Sequence, residues 1–327
     1  MRAVWYDRQG PAHDVLEIGE LPDPVPGTGE VRVRLRYSGI NPGDTKKRLG
    51  WLGSQMPFPR VIPHSDGAGV IDQVGDGVDP NRIGQRVWVY NAQSYRQFGT
   101  AAQCTVVPDA TAVTLPDNVT DRVGACLGIP GITAHRAVFA DGPVTGQTVL
   151  VQGALGAVGS MAVQLAHWGG ATVVSTVRRS TDIARLTGPT TTRAVSLDST
   201  DPIGAIREHA PDGVDRIVEV GFSDNVDLDA AVARNGAVIA AYATRDGRPG
   251  FDFWHMLFDN ITIHLLGSDD FPAEAKQKAA RDLTTAAGVG ALTPLIADPL
   301  PLDQAAAAHE QVDRDNRRRV LLAIPDK

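Results

Sequence analysis

The sequence predicts a two-domain α/β protein in which a small β-rich domain is followed by a doubly wound parallel sheet, with the chain's end returning to the first domain. Three observations carry this expectation. The first 119 residues read as short strands cut by proline and glycine. From about residue 121, continuously apolar, β-branched runs alternate with helical stretches. The last residues regain β character and proline turns, which suit the first domain better than the second.

In the first domain Val31, Val33, Leu35 and Tyr37 alternate with Arg32, Arg34 and Arg36, the period of a strand with one wet face. Further β-rich runs at 69–74, 86–90 and 103–107, with turns at 22–29 and 75–84, indicate a compact all-β domain or partly open barrel. The texture changes with helical stretches at 121–125 and 134–139. Strand-like runs then occur at 148–151, 172–177, 216–220, 237–241 and 262–267, with a helix at 158–168. Strands without a polar face are buried on both sides, so five or six of them alternating with helices predict a doubly wound parallel sheet. A helix at 273–287, the segment 292–300 and a closing strand at 320–324 complete the chain. The expected domains are 1–121 with 271–327, and 122–270.

Composition narrows the function. A chain of 327 residues, 43% hydrophobic and 21% charged, is ordinary for a globular protein and long enough for two cores. The net charge of −7 argues against nucleic acid or an anionic membrane as partner. No apolar run is long enough to span a bilayer, and Arg2, Asp7 and Arg8 interrupt the place of a signal peptide, so a cytoplasmic location is expected. Two cysteines, Cys104 and Cys126, exclude a four-cysteine zinc site and a disulfide framework.

The most informative stretch is Val149-Leu150-Val151-Gln152-Gly153-Ala154-Leu155-Gly156-Ala157-Val158-Gly159, a strand entering a glycine-rich turn and then a helix. A pyrophosphate site needs that order: N–H groups at a helix N-terminus face the anion, and absent side chains let it approach. Gly156 permits the approach, Gly159 the packing of helix on sheet, and Ala154 stands where the common G-x-G-x-x-G pattern has glycine. At the end of the next strand, Arg178, Arg179 and Ser180 replace the acidic residue that favours NAD, pointing to the 2′-phosphate of NADPH. Asp182, just beyond, blurs that preference.

Together with Ser38-Gly39-Ile40-Asn41-Pro42-Gly43-Asp44, Pro63-His64-Ser65-Asp66-Gly67-Ala68-Gly69 and Gly128-Ile129-Pro130-Gly131-Ile132-Thr133-Ala134, this turn makes the chain resemble, over nearly its whole length, the medium-chain dehydrogenase/reductase superfamily. The likeness is to its zinc-independent quinone oxidoreductase branch. It implies a Rossmann doubly wound sheet plus a GroES-like, partly open β-barrel. Where zinc enzymes of the superfamily place their ligands, this chain has Asn41, Ser65 and Ile129, which make no transition-metal site, so no metal is expected; His64 is read as structural. The resemblance implies Asn41 beside the nicotinamide ribose or substrate and Thr133 near the nicotinamide. It also implies that Val220, Tyr242, Leu266 and Gly267 line the nicotinamide side, with Gly153, Ala154, Gly156, Ala157, Val158 and Gly159 on the phosphates. Lys46 stands where many relatives carry tyrosine, and Lys46, Arg48 or Trp51 could shape the site instead. Arg319, in the run Arg317-Arg318-Arg319, is expected either at the cofactor phosphate or on the surface.

Without metal, the chemistry is hydride delivery from NADPH to an acceptor whose own π-system spreads the charge, a quinone or conjugated enone. The expected function is NADPH:quinone reduction. An enoyl or α,β-unsaturated ketone reductase and an NADPH-binding redox sensor without turnover are the alternatives. The resemblance further implies a homodimer paired through the edge strand at 261–267.

Overall fold

The computed structural model describes residues 1–186, 193–314 and 317–326. The chain divides into two compact units. The first comprises Met1–Pro130, Ala280–Gly288 and Thr293–Lys327, the second Gly131–Ala279 and Val289–Leu292. The first two crossings, after Pro130 and after Ala279, lie nine residues later than the sequence boundaries, and the chain crosses twice more, after Gly288 and after Leu292.

In the first unit the strands β1 (Arg2–Trp5), β2 (Glu17–Glu20), β3 (Glu30–Gly39), β4 (Asp66–Val74), β5 (Arg86–Val89), β6 (Cys104–Pro108) and β7 (Ala112–Thr114) are interleaved with three helices. These are α1 (Ala12–Val15), α2 (Pro42–Leu49) and α3 (Asp121–Gly124). The alternation seen in the sequence sets β3. Val31, Val33 and Leu35 are buried, while Arg32 and Arg34 reach Asp72 and Arg36 reaches Asp121 on the other face. Each such buried aliphatic side chain contributes roughly 1.5–3 kcal/mol. Register shifts between Arg32 and Val33 and between Leu35 and Tyr37 bend β3 against β4, which curls the sheet into an open barrel.

The second unit opens with α4 (Ile132–Phe139) and then alternates β8 (Thr148–Val151), α5 (Ala157–Trp168), β9 (Thr172–Val177), β10 (Ala194–Ser196), α6 (Pro202–His209) and β11 (Val214–Glu219). It continues through α7 (Phe222–Val232), β12 (Ala233–Ala241), α8 (Phe253–Phe258) and β13 (Thr262–Leu265). The strands form one parallel sheet in the order β10-β9-β8-β11-β12-β13. The sequence order reverses between β8 and β11, the switch point at which open α/β sheets bind ligands. Val149, Leu150 and Val151 are fully buried, as expected of a strand covered on both faces.

The helix α9 (Ala273–Gly288) contains the second crossing. Then β14 (Leu300–Pro301), α10 (Ala305–Asp313) and β15 (Leu321–Ala323) follow. The closing strand β15 pairs antiparallel with β3, extending the barrel sheet to β14-β15-β3-β4-β5-β7, with β6 also on β3. Among the described residues, no helix is long and apolar enough to cross a membrane.

Candidate functional site

The glycine-rich turn behaves as its residues require. Gly153 takes φ +69°, which favours glycine, and a Cβ there would come within 2.8 Å of Val220 Cγ1. At Gly159 a Cβ would lie 2.3 Å from the Gly153 carbonyl oxygen, so only glycine lets α5 pack this close to the turn. Gly156 is the N-cap of α5, and no side chain caps the helix. Its first turn also carries no acidic residue. The N–H groups of Ala157, Val158 and Gly159 therefore point out of an uncapped, glycine-led helix end, which fits the bridging phosphates of a dinucleotide. Ala154 is buried and its N–H is bonded to the Thr176 carbonyl at 2.9 Å, so it supports the turn from below.

Apart from Thr133, the other second-unit candidates follow carboxyl ends of the parallel strands. Arg178, Arg179 and Ser180 are exposed directly after β9, and the Ser180 N–H donates to Asp198 Oδ1 at 2.9 Å. Asp182 is buried and accepts from Arg185. Val220 follows β11 and Tyr242 follows β12, its N–H bonded to the Glu219 carbonyl at 3.0 Å. Leu266 and Gly267 follow β13, with the Leu266 N–H on the Ala241 carbonyl. Thr133 is buried in the first turn of α4.

In the first unit the structure builds a polar centre that the sequence did not reveal. Asp66, at the start of β4, is fully buried, and its Oδ2 accepts from Asn41 Nδ2 at 2.8 Å and from Arg319 at 2.6 Å. Its Oδ1 accepts the Ile129 N–H at 2.8 Å. Arg319 also donates to Asn41 Oδ1 at 2.6 Å and to the Ile40 carbonyl at 2.5 Å. Burial pushes the Asp66 carboxyl above its usual range against the pull of Arg319, Asn41 and the Ile129 N–H. Arg319 therefore departs from both expectations: its guanidinium is neither on the surface nor free for a phosphate, because three first-unit acceptors hold it. Asn41 likewise gives its carbonyl and one amide N–H to this centre.

A second buried chain adjoins it. Arg48 Nε donates to His309 Nδ1 at 3.3 Å, His309 and His64 share an Nε2···Nε2 hydrogen bond at 2.8 Å, and His64 Nδ1 bonds Ser38 Oγ at 2.8 Å. Ser38 meets Thr100 Oγ1 at 2.7 Å, which donates to the Asp66 carbonyl at 2.6 Å. Because Arg48 can only donate, each proton in the series is assigned: His309 carries it on Nε2 and His64 on Nδ1. Both imidazoles are thus neutral. Burial lowers the pKa of His64 well below the usual range and that of His309 to about 3. Arg48, fully buried on Asp313 and the Gly10 carbonyl, is not available to shape a substrate site. Lys46 lies 4.4 Å from the centroid of the Trp51 ring, and Trp51 is half-exposed.

Of the three positions that the resemblance sets against zinc ligands, Asn41 and Ile129 are bonded to Asp66, and the Ser65 carbonyl accepts the Ala92 N–H. Among the described residues no group of three or more His, Cys, Asp or Glu is placed to hold a metal ion. The residues the sequence missed are Ser38, Asp66, Thr100 and His309. Asp66 lay inside a quoted motif, but nothing local marks a partner 253 positions away.

Residues 27–139 match the alcohol dehydrogenase GroES-like domain. The mouse quinone oxidoreductase is 30% identical over 320 residues, which span 95% of this chain and 94% of that protein. The chain belongs to the quinone oxidoreductase family of the medium-chain dehydrogenase/reductases. The structure of an NAD-dependent alcohol dehydrogenase superposes on this family member with a TM-score of 0.86 at 25% identity, covering 99% of this chain and 100% of that one. A mycobacterial protein solved with NADPH gives 0.82 at 24% identity over 99% of both chains, a likeness of fold. As a quinone oxidoreductase relative, the protein is an oxidoreductase enzyme of the two-domain, GroES-like plus Rossmann architecture.

Proposed function

We propose that this protein is an NADPH-dependent, zinc-independent reductase that passes hydride to a quinone. The observation that carries this reading is the exposed run Arg178-Arg179-Ser180 directly after β9. Two guanidinium forks and a hydroxyl suit a 2′-phosphate, where an NAD site would present a carboxylate to the ribose. The next carboxylate along the chain, Asp182, is buried and bonded by Arg185, which withdraws it from competition.

Bound NADPH would supply the hydride from its nicotinamide ring, and a quinone spreads the arriving charge over its own π-system. The chain's part is binding and orientation. The uncapped N–H groups of Ala157, Val158 and Gly159 would hold the bridging phosphates. Thr133, Val220, Tyr242, Leu266 and Gly267 are assigned to the nicotinamide side. Asn41, with one amide N–H left after Asp66, and Lys46 are assigned to the acceptor oxygen.

Calorimetry with NADPH and NADH, then steady-state assays against quinones and conjugated enones, test the reading. Tighter binding of NADPH, lost when Arg178 and Arg179 are both made alanine, and turnover of quinones are expected. No NADPH uptake, or a nucleotide preference untouched by the double variant, would overturn the cofactor assignment. Binding without nicotinamide oxidation in the presence of any acceptor would make the protein a sensor, and turnover of enones alone would reassign the substrate.

A homodimer is part of the same proposal. Among the described residues the strand β13 pairs only with β12 and ends the six-stranded sheet, while Leu265 and the nearby Phe253, Trp254 and Phe258 are exposed. A reducing, cytoplasmic setting accords with two free, buried cysteines.

A further inference from the structure

Beneath the glycine-rich turn runs a line of side chains that the proposed chemistry leaves without a role. Gln152, Thr176, Glu219 and Asp229 are all buried with at most 0% relative exposure, and all belong to the second unit. They come from the ends of β8, β9 and β11 and from α7. Uncompensated, four such groups would be costly, so their bonding has to be complete.

The bonds have one direction. The Gly153 N–H donates to Thr176 Oγ1 at 3.2 Å. Thr176 passes its own proton to Gln152 Oε1 at 2.5 Å, and Gln152 Nε2 donates to Asp229 Oδ1 at 2.8 Å. Among the described residues no other hydrogen-bond partner reaches Asp229 Oδ2, which leaves the neighbouring Glu219 carboxylate to accept its proton. Glu219 in turn accepts from Asn225 Nδ2 at 3.1 Å and from the Gly221 N–H. Burial, and next the Glu219 charge, push the Asp229 carboxyl well above the usual range; burial raises the Glu219 carboxyl too, held back by the Gly221 N–H and by the Asp229 and Asn225 donors. One proton is thus held on Asp229, and the series runs from a glycine N–H to a single buried carboxylate.

We propose that Thr176, Gln152, Asp229 and Glu219 are positioning residues for the dinucleotide: they fix the left-handed Gly153 and tie the loop after β8 to the loop after β11. Two contacts outside the series say the same. A Cβ on Gly153 would meet Val220, the residue directly after Glu219, and the Ala154 N–H is anchored on the Thr176 carbonyl. The Gly153 N–H is consumed by Thr176 and the Gly156 N–H by the Gly153 carbonyl, so the phosphates are left to the first turn of α5. The turn is held in its binding shape before any ligand arrives, which lowers the ordering cost of binding. This inference rests on the dinucleotide reading above.

The experiment compares Thr176→Val, Thr176→Ser and Asp229→Asn with the unaltered protein, full length. Thr176→Val keeps the shape and removes both bonds. Thr176→Ser restores the hydroxyl. Asp229→Asn retains an acceptor for Gln152 and a donor for Glu219 without the titrating proton. Calorimetry with NADPH should show affinity about tenfold weaker for Thr176→Val, a difference of about 1.4 kcal/mol, and near the unaltered value for the other two. Hydrogen exchange on the unliganded proteins should show faster exchange at residues 153–156 in Thr176→Val alone, with β3 and β4 unchanged. Equal affinity and equal turn exchange in Thr176→Val would overturn the inference. If the unaltered protein takes up no NADPH, the cofactor reading fails, and unchanged turn exchange would separately show that the series positions nothing.

Discussion

Arg319 and Asp66 stand 253 positions apart in the chain and 2.6 Å apart in space, at 3% and 0% side-chain exposure. Desolvation of the two charges offsets much of their attraction, so the pair is better read as a specifier of geometry than as a source of stability. What it specifies is the junction of β3, β4 and the segment before β15, with the Asn41 carboxamide held between the partners.

Removing one partner leaves the other charged and buried. Arg319→Ala should therefore cost about 3–5 kcal/mol, read from the urea midpoint at constant m. Arg319→Leu with Asp66→Leu, which removes both charges, should recover a large part of that loss. A single variant as stable as the parent would show that the buried carboxyl finds another way to be neutralised.

The neutral histidine pair makes a pH statement with a definite sign. His309 is held at about 3 and His64 well below the usual range by burial, so folded imidazoles stay neutral where unfolded ones take up protons. Stability they contribute is complete above about pH 6.5 and is lost progressively as pH falls toward 3. Each should give a slope of about 1.4 kcal/mol per pH unit in that window. Urea titrations between pH 7 and 4 should thus show a shallower dependence for His309→Gln than for the parent. Parallel slopes would mean that His309 is protonated in the folded protein after all.

At Gly159 the prediction is steric. Alanine places a Cβ 2.3 Å from the Gly153 carbonyl oxygen, a backbone atom that cannot rotate away, so α5 must back off from the turn. Gly159→Ala should lower the melting temperature and weaken NADPH binding together. Gly247→Ala, with nothing within 4 Å of the added carbon, is the matched control and should change neither.

How much of this was legible in the sequence depends on how local the physics is. The parallel strands declared themselves because a strand buried on both faces must be apolar throughout, as Val149, Leu150 and Val151 are. The turn was legible because Gly153 takes a positive φ and Gly159 must clear the Gly153 carbonyl six positions away, both local demands for glycine. The three-residue β10 was missed, since its pairing with β9 is tertiary and its pattern too short to carry a period. Arg319 was expected at the cofactor phosphate or on the surface because a run of three arginines shows charge but no partner. Only the folded chain brings Asp66, Asn41 and Ile40 to its guanidinium. The same holds for Asp229, an ordinary helix residue in sequence whose partners come from the ends of β8 and β11.

The edge of the second unit's sheet yields the last prediction. An unpaired edge invites another strand, and proteins that stay monomeric blunt such edges with charge. Here the edge strand β13 carries Leu265 at 78% exposure, and the preceding helix α8 shows Trp254 at 65% and Phe258 at 72%. The stacked Trp254 and Phe258 rings extend that apolar surface. A second copy offering the same strand would satisfy the edge and cover the aromatics by two-fold symmetry. Light scattering should give twice the chain mass of 34.7 kDa for the parent protein. Trp254→Lys with Leu265→Lys should shift it toward one chain, with circular dichroism unchanged because both side chains already face outward. A parent protein that runs as a single chain at micromolar concentration would remove the dimer and leave the exposed aromatics to another partner.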